Sequence, residues 1–216
     1  MRFLDRREAG RRLAARLMDA GLDDPVVLAL PRGGVPVAAE VAEALGVAVD
    51  VFVARKVGAP GHQEFGIGAV AEGSDRVVLG EQANAFRLTD EQLDAMAATE
   101  LAEVERRVRA YRGDRELPDM AGRDVVVVDD GLATGVTAEA ALRALADRAP
   151  RRLVLAVPVC AVPSAERLGE LAEVICVEQP EDFRAVGLWY EDFGQTSDAE
   201  VIDTLDRTRS DTRVAR

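Results

Sequence analysis

The chain has 216 residues, and its 39 acidic against 27 basic residues give a formal net charge of -12. A chain of this length can bury a sizeable core as one α/β domain without stabilising disulfides or metals. The acidic balance argues against a protein that coats nucleic acid or an anionic membrane. No apolar stretch reaches the roughly 20 residues that a membrane-spanning helix needs, and residues 1–20 lack the apolar core of a secretory signal. We therefore expect a cytoplasmic protein.

The first elements alternate between helix and strand. Residues 5–20 predict an amphipathic helix that packs on the core. Its apolar positions are Leu4, Ala9, Leu13, Ala14 and Leu17. Apolar runs predict strands at 26–30 and 47–54, with a helix at 35–45 between them.

A glycine-rich turn, Pro31-Arg32-Gly33-Gly34, joins the first strand to this helix. Two adjacent glycines allow backbone N–H groups to face an anion, and Arg32 adds positive charge. Taken alone, the segment fits a plain tight turn equally well.

A single lysine follows the second predicted strand. Of the 27 basic residues, all but Lys56 are arginines, and Lys56 stands next to Arg55. Lys56 is either a surface residue retained by chance or a compact point charge directed at phosphate. The glycine-rich and proline-containing stretch after it, 57–73, predicts a lid in the form of a mobile loop or hairpin, or else a disordered segment.

The second half continues the alternation. A capping box at 89–92 opens a long helix to about 111, which we interpret as structural. Strands are predicted at 124–128, 152–159 and 174–177, with helices from about 138, from 163 and at 198–206, before a frayed tail at 207–216. This order predicts an α/β fold with a doubly wound, mostly parallel sheet and helices on both faces.

The most informative stretch is 125–137. Four valines form a strand that is apolar on both faces, and Asp129 and Asp130 follow where it leaves the core. The carboxyl ends of strands are where open α/β sheets bind ligands. Gly131 to Thr137 then supply small side chains and two hydroxyls before the next helix, which is typical of a phosphate cradle. The alternative is an ordinary strand, turn and helix.

A phosphate cradle beside two carboxylates indicates a composite ligand. Bare acids repel a phosphate, so they need another target, such as a sugar diol or a divalent cation that the ligand carries. We therefore expect a ligand with a phosphate, vicinal hydroxyls and Mg²⁺. A zinc site or a Ser-His-Asp triad is disfavoured, because the chain has one histidine and two cysteines in apolar runs.

The segment of four apolar residues, two acids and Gly-x-x-Thr-Gly-x-Thr resembles the 5-phosphoribosyl-1-pyrophosphate (PRPP) signature of type I phosphoribosyltransferases. Pro31-Arg32-Gly33-Gly34 is similar to their pyrophosphate loop, in which the resemblance implies a non-proline cis peptide between Pro31 and Gly33. The resemblance also implies a single domain over 1–216 in the type I phosphoribosyltransferase fold, with a flexible loop or hairpin lid at about 55–80 and a small C-terminal hood at about 178–208.

The resemblance implies a transferase that moves the 5-phosphoribosyl group from Mg-PRPP to a nitrogenous base and releases pyrophosphate. Asp129 and Asp130 would hold the ribose hydroxyls and, indirectly, Mg²⁺, and the catalytic group would add Lys56 and Glu64. The implied PRPP-binding residues are Arg32, Gly33, Gly34, Arg55, Lys56, Asp129, Asp130, Gly131, Ala133, Thr134, Gly135, Val136 and Thr137.

The acceptor base is less well defined. The aromatic segment 180–192 faintly resembles the hood of hypoxanthine-type members, so Phe183, Trp189 and Glu191 are candidate base-binding residues, although such aromatics also commonly seal a core. Ala133 stands where hypoxanthine-guanine members carry an acid and matches adenine-type members, in which a loop carboxylate handles the proton. Glu64 or Glu72 could do so here.

Two other functions remain open on the sequence. The chain could be a non-catalytic sensor that binds PRPP or a nucleotide and regulates a partner, or a hydrolase that uses the same carboxylates on Mg²⁺. A homodimer is also left open, and no nucleic-acid or membrane partner is expected.

Overall fold

A computed structural model describes residues 2–60, 62–74 and 77–214, with the backbone alone at 63–65, 81, 82 and 211–214. Its helices are α1 (Arg6–Met18), α2 (Gly34–Leu45), α3 (Asp90–Arg112), α4 (Val136–Ala146), α5 (Val162–Leu168) and α6 (Asp198–Val214). Its strands are β1 (Val26–Ala29), β2 (Val49–Val51), β3 (Ala54–Ala59), β4 (His62–Ala71), β5 (Val78–Leu79), β6 (Asp124–Val128), β7 (Arg152–Val159) and β8 (Glu173–Glu178). In the described part of the chain, none of the helices combines the length and apolarity needed to cross a bilayer.

Five strands form a parallel sheet in the order β2-β1-β6-β7-β8. Successive side chains of a strand point to opposite faces, and both faces are buried. One face, including Val126 and Val128, packs with residues of α1, α2, α3 and α6. The other, including Val125 and Val127, packs with α4 and α5. This layering confirms the predicted α/β fold and puts the carboxyl ends of β1, β6 and β7 along one edge.

Strands β3, β4 and β5 form a separate antiparallel sheet. One of its faces packs with α3, and the other contributes to the cluster that contains α4. The segment predicted as a mobile loop or hairpin therefore contains a hairpin with irregular register near Gly58. Its mobility stays a prediction, and Gly61, Asp75 and Arg76 lie outside the described residues.

Three predicted boundaries were wrong. Residues 47–54 form two strands, because Phe52 N–H donates to Ala29 O in the main sheet whereas Val53 O already accepts from Glu72 N–H beside β4. The 207–216 tail is helical as far as Val214, because a buried stripe of Val201, Leu205 and Thr208 continues the packing surface of α6. Leu4 precedes α1 and is exposed, since Asp5 is the N-cap.

Two local predictions were right. The Thr89–Gln92 capping box opens α3, with both reciprocal hydrogen bonds formed. The Pro31–Arg32 peptide bond is cis.

Candidate active site

Asp129 and Asp130 follow β6 at the carboxyl edge of the parallel sheet. Asp129 Oδ1 accepts from the Asp130 N–H at 2.8 Å. Asp130 Oδ2 accepts from Arg6 Nε at 2.8 Å, in a pair whose side chains are only 12% and 15% exposed. Tyr190 donates its hydroxyl to the Asp130 carbonyl oxygen at 2.6 Å. The acid pair is therefore held by groups from both ends of the chain.

Burial raises the pKa of both carboxyl groups. For Asp129 the neighbouring Asp130 charge raises the pKa further, so that it lies well above its ordinary value. For Asp130 the Arg6 guanidinium partly offsets the effect of burial, and the net pKa is still raised. The two adjacent acids are thus electrostatically different, because Arg6 donates its hydrogen bond to Asp130 whereas Asp129 faces the negative charge of its neighbour.

The glycine turn before α2 lies directly against these acids. A Cβ atom on Gly33 would lie 2.0 Å from Asp130 Oδ2, and one on Gly34 would lie 2.5 Å from the Val128 carbonyl oxygen. Only glycine allows such a close approach of the two loops. Arg32 points toward α6, with Nη1 3.7 Å from Asp198 Oδ1.

The predicted phosphate loop connects β6 to α4. Gly135 is the N-cap of α4 with φ of 73°, a left-handed conformation that favours glycine, and no side chain caps the helix. Ala133 and Thr134 are exposed, whereas Val136 is buried and Thr137 half-buried. Gly131 packs tightly under Val186 of the segment 178–208, which is the predicted hood, since a Cβ atom on Gly131 would lie 2.5 Å from Val186 Cγ1.

The predicted cationic groups lie on β3. Arg55 pairs with Glu100 of α3 at 2.7 Å. Lys56 is exposed, and its aliphatic stem crosses Gly66, where a Cβ atom would lie 2.5 Å from Lys56 Cδ. Glu64 belongs to β4, and its side chain lies outside the described part of the structure. The catalytic roles of these residues stay predictions.

Glu72, the alternative carboxylate, lies in a buried ion pair. Arg112 Nη2 lies 2.7 Å from Glu72 Oε1, and Arg112 Nε lies 3.5 Å from Asp50 Oδ1. Burial raises the pKa of Glu72, and Arg112 partly offsets this rise. Because both side chains of the Glu72–Arg112 pair are less than one-tenth exposed, the pair joins β4, β2 and α3 as a structural contact.

The candidate base-binding residues lie in the hood. Phe183 and Trp189 are half-buried and pack with Phe3 and Tyr190 in a third cluster, and the exposed Glu191 donates its N–H to the Phe3 carbonyl oxygen. The two aromatics help to join the N-terminal segment to the hood, and no contact tests a role in base binding.

Sequence reasoning missed the two residues that bind Asp130, Arg6 and Tyr190, and also Phe193, which contacts both of them. The Arg6 guanidinium lies 4.0 Å above the Phe193 ring, which stacks on Tyr190 with 5.0 Å between centroids. Arg6 also donates to the Gly194 carbonyl oxygen at 2.7 Å. Tyr190 belongs to the aromatic segment 180–192 and Phe193 follows it, but nothing in the sequence distinguishes Arg6 from the other arginines.

The donor set around the acids suits Mg²⁺ brought by a substrate. Mg²⁺ prefers oxygen ligands and is commonly held by one or two carboxylates together with substrate phosphates and waters. Asp129 and Asp130 could supply that share, directly or through the ligand. Among the described residues, no group of three or more His, Cys, Asp or Glu side chains is arranged to hold a metal by itself.

A parallel α/β sheet that carries an acid pair, a glycine turn and a loop leading into a helix N-terminus along one edge is the type I phosphoribosyltransferase fold. The sequence profile of the phosphoribosyl transferase domain matches residues 3–187, and the chain therefore belongs to this family of transferases.

Similar proteins agree with this assignment. The chain is 48% identical to the protein TT1426 from Thermus thermophilus, whose crystal structure superposes with a TM-score of 0.81, over 96% of this chain and 99% of that one. It is 42% identical over 210 residues to a Mycobacterium tuberculosis protein whose name provisionally assigns it as a phosphoribosyl transferase. That match covers 97% of this chain and 47% of the relative, so the chain spans about half the length of the curated relatives it matches.

A more distant structure shares the fold alone. It is a hypothetical protein from Neisseria gonorrhoeae with bound ppGpp, 16% identical, with a TM-score of 0.51 and coverage of 100% of this chain and 99% of that one.

Proposed function

We propose that this domain transfers the 5-phosphoribosyl group from Mg-PRPP to a nitrogenous base and releases pyrophosphate. The observation that carries the proposal is the contact between the Gly33 turn and Asp130 next to the uncapped N-terminus at Gly135. This contact supports the proposal, because it brings the glycine turn and the acid pair together along one edge, where backbone N–H groups would face phosphate oxygens and the carboxylates would face sugar hydroxyls.

The residues divide the ligand between them. Asp129 and Asp130 would accept hydrogen bonds from the ribose hydroxyls, and the loop from Gly131 to Thr137 would bind the 5-phosphate. Arg32, the Gly33-Gly34 turn, Arg55 and Lys56 would face the pyrophosphate. When bound, Mg²⁺ would neutralise charge on the leaving pyrophosphate.

Positioning and charge stabilisation carry most of such a reaction. A base nitrogen attacks ribose C1, the bond from C1 to the pyrophosphate oxygen breaks, and the configuration at C1 inverts. Because Arg55 is paired with Glu100 at 2.7 Å, its use on pyrophosphate requires that this pair open or be shared.

The test is incubation with Mg-PRPP and a panel of bases, with pyrophosphate and nucleotide measured together. We expect equal amounts of both products with at least one base, and loss of both in Asp129→Asn and Asp130→Asn. Parental affinity for PRPP in these two variants would show that the ribose role is wrongly assigned.

For the acceptor, we infer that ordinary hypoxanthine and guanine salvage is not the function. The loop has Ala133 where hypoxanthine-guanine members carry an acid that contacts the base. A 6-oxopurine would therefore lack its usual proton acceptor, and an unpaired buried polar group costs roughly 1 to 3 kcal/mol. Adenine transfer that Glu64→Gln abolishes would support the adenine-type reading. A kcat/KM for hypoxanthine or guanine of about 10⁴ M⁻¹s⁻¹ or above would contradict the inference.

The second candidate is a non-catalytic sensor of PRPP or a nucleotide. The ion pair of Arg55 with Glu100 favours it, because Arg55 is then occupied by a partner other than the leaving pyrophosphate of a catalysed transfer. Tight ligand binding with no turnover of any base would select the sensor, and ppGpp belongs in that binding panel.

A further inference from the structure

Two side chains of helix α5 donate hydrogen bonds to consecutive carbonyl groups of the phosphate loop, residues 131–137. Ser164 Oγ donates to the Ala133 carbonyl oxygen, and Arg167 Nη2 donates to the Thr134 carbonyl oxygen at 2.6 Å. Ser164 is buried. The Leu132 carbonyl oxygen, one residue earlier, accepts from the Ala161 N–H at 2.9 Å. Three successive loop carbonyls are therefore turned toward α5 and the residue before it.

These hydrogen bonds determine where the loop N–H groups point. The C=O and N–H of a trans peptide point in opposite directions because the peptide unit is planar. With the Ala133 and Thr134 carbonyls held on the α5 side, the N–H groups of Thr134 and Gly135 face the other side of the loop. No hydrogen bond in the described part of the chain uses these two N–H groups, so they remain available to an anion.

Arg167 has a second task, which concerns charge. Glu139 lies in the first turn of α4, where its carboxylate would repel a phosphate bound at the same helix terminus. Arg167 Nη1 pairs with Glu139 Oε2, and Arg143 Nη2 pairs with Glu139 Oε1 at 2.9 Å. Both arginines neutralise Glu139, but only Arg167 also holds the loop.

We propose that Ser164 and Arg167 are positioning residues that preorganise the phosphate subsite, with Arg167 also shielding it from Glu139. The proposal rests on the proposed function, because it takes the loop as the site of a sugar 5-phosphate. Neither residue belongs to the sequence motif itself, and neither needs to touch the ligand.

The experiment compares two probes, ribose 5-phosphate and inorganic pyrophosphate, by calorimetric titration of the full chain. Arg167→Gln should lower the affinity for ribose 5-phosphate at least about tenfold, since a charge-assisted hydrogen bond and a neutralising charge are both lost. Pyrophosphate affinity should stay within about twofold, because that ligand uses the Gly33 turn. Ser164→Ala should weaken ribose 5-phosphate about three- to tenfold with no change in charge.

The matched control is Arg143→Gln, which removes the other partner of Glu139 and leaves the loop carbonyls held. It should weaken ribose 5-phosphate less than Arg167→Gln does. Adding Glu139→Gln to Arg167→Gln should recover the part of the affinity that was lost through charge repulsion. The affinity of Arg167→Lys for ribose 5-phosphate should lie between those of the parent and Arg167→Gln.

Equal losses in Arg143→Gln and Arg167→Gln, or parental affinity in Ser164→Ala, would overturn the positioning role. Equal losses of both probes would also overturn it, since they would indicate a general structural defect. If the parent itself binds no ribose 5-phosphate, the loop is not a sugar-phosphate subsite and this inference fails, whereas the proposed function fails only if the parent makes no pyrophosphate and nucleotide from Mg-PRPP and any base. A thermal unfolding curve for each variant shows that the compared proteins are folded.

Discussion

Gly33→Ala is the sharpest single test of the contact between the two loops. Gly33 has φ of -61° and ψ of -33°, a conformation that alanine adopts without cost. Glycine is therefore needed at this position for space and not for backbone freedom. A Cβ atom would lie 2.0 Å from Asp130 Oδ2 and 2.7 Å from Asp130 Cγ.

The size of the effect follows from this geometry. The carboxylate must retreat by about 1.4 Å to reach an ordinary contact distance of about 3.4 Å, and its 2.8 Å hydrogen bond to Arg6 Nε then breaks. Because that bond joins two charged, largely buried groups, its loss and the misplacement of Asp130 should cost about 1.5 to 3 kcal/mol of ligand binding. This corresponds to an affinity lower by about 10- to 150-fold.

Calorimetric titration with Mg-PRPP measures the loss, and thermal unfolding measures stability in parallel. Gly34→Ala is the matched control, because its Cβ atom would meet the Val128 carbonyl oxygen at 2.5 Å. That atom belongs to the central strand β6 and cannot swing aside. We therefore expect Gly34→Ala to lose about 1 to 3 kcal/mol of folding stability, whereas the main loss in Gly33→Ala should be in binding.

Parental affinity in a folded Gly33→Ala protein would refute this reasoning. It would mean either that Asp130 can move without consequence for the ligand or that the ligand does not use Asp130.

Glu72→Gln should lower the free energy of unfolding by about 3 to 5 kcal/mol in urea titrations, because it breaks the buried pair with Arg112; a loss below about 1 kcal/mol would contradict a structural role. Lys56→Ala should lower turnover with little change in melting temperature, because the residue is exposed; an unchanged rate would make Lys56 an ordinary surface residue. Burial and the hydrogen bond to Asp198 raise the pKa of Tyr111 to about 12. Since the unfolded chain titrates near 10, stability should fall as pH rises from 10 through 12, and Tyr111→Phe should flatten that fall in unfolding curves.

The local motifs were predictable because each is encoded by neighbouring residues. The valine run of β6, the glycines at 33, 34 and 135, and the Thr89 capping box set backbone geometry over a few positions. The alternation of strands and helices then implied a parallel sheet, whose carboxyl edge must collect the loops that follow β1 and β6.

The surroundings of Asp130 were not predictable, because they depend on residues far apart in the chain. Arg6 stands 124 positions before Asp130, and Tyr190 stands 60 positions after it. Neither position has a local pattern that marks it as a site residue. The same is true of Arg167, which reaches the phosphate loop across 33 positions.

Sequence alone therefore determined which backbone segments form the candidate site, since such turns and strand ends are encoded by short runs of small, apolar and acidic residues. Only the tertiary structure decided which side chains hold those segments in place. Ion pairs and hydrogen bonds between distant residues form where packing of α1, α5 and the predicted hood brings them together. The sequence itself does not distinguish Arg6 or Arg167 from the other arginines. The tertiary structure also decided that Glu72 is a buried ion-pair partner, because Arg112, which pairs with it at 2.7 Å, lies 40 positions further along the chain in α3.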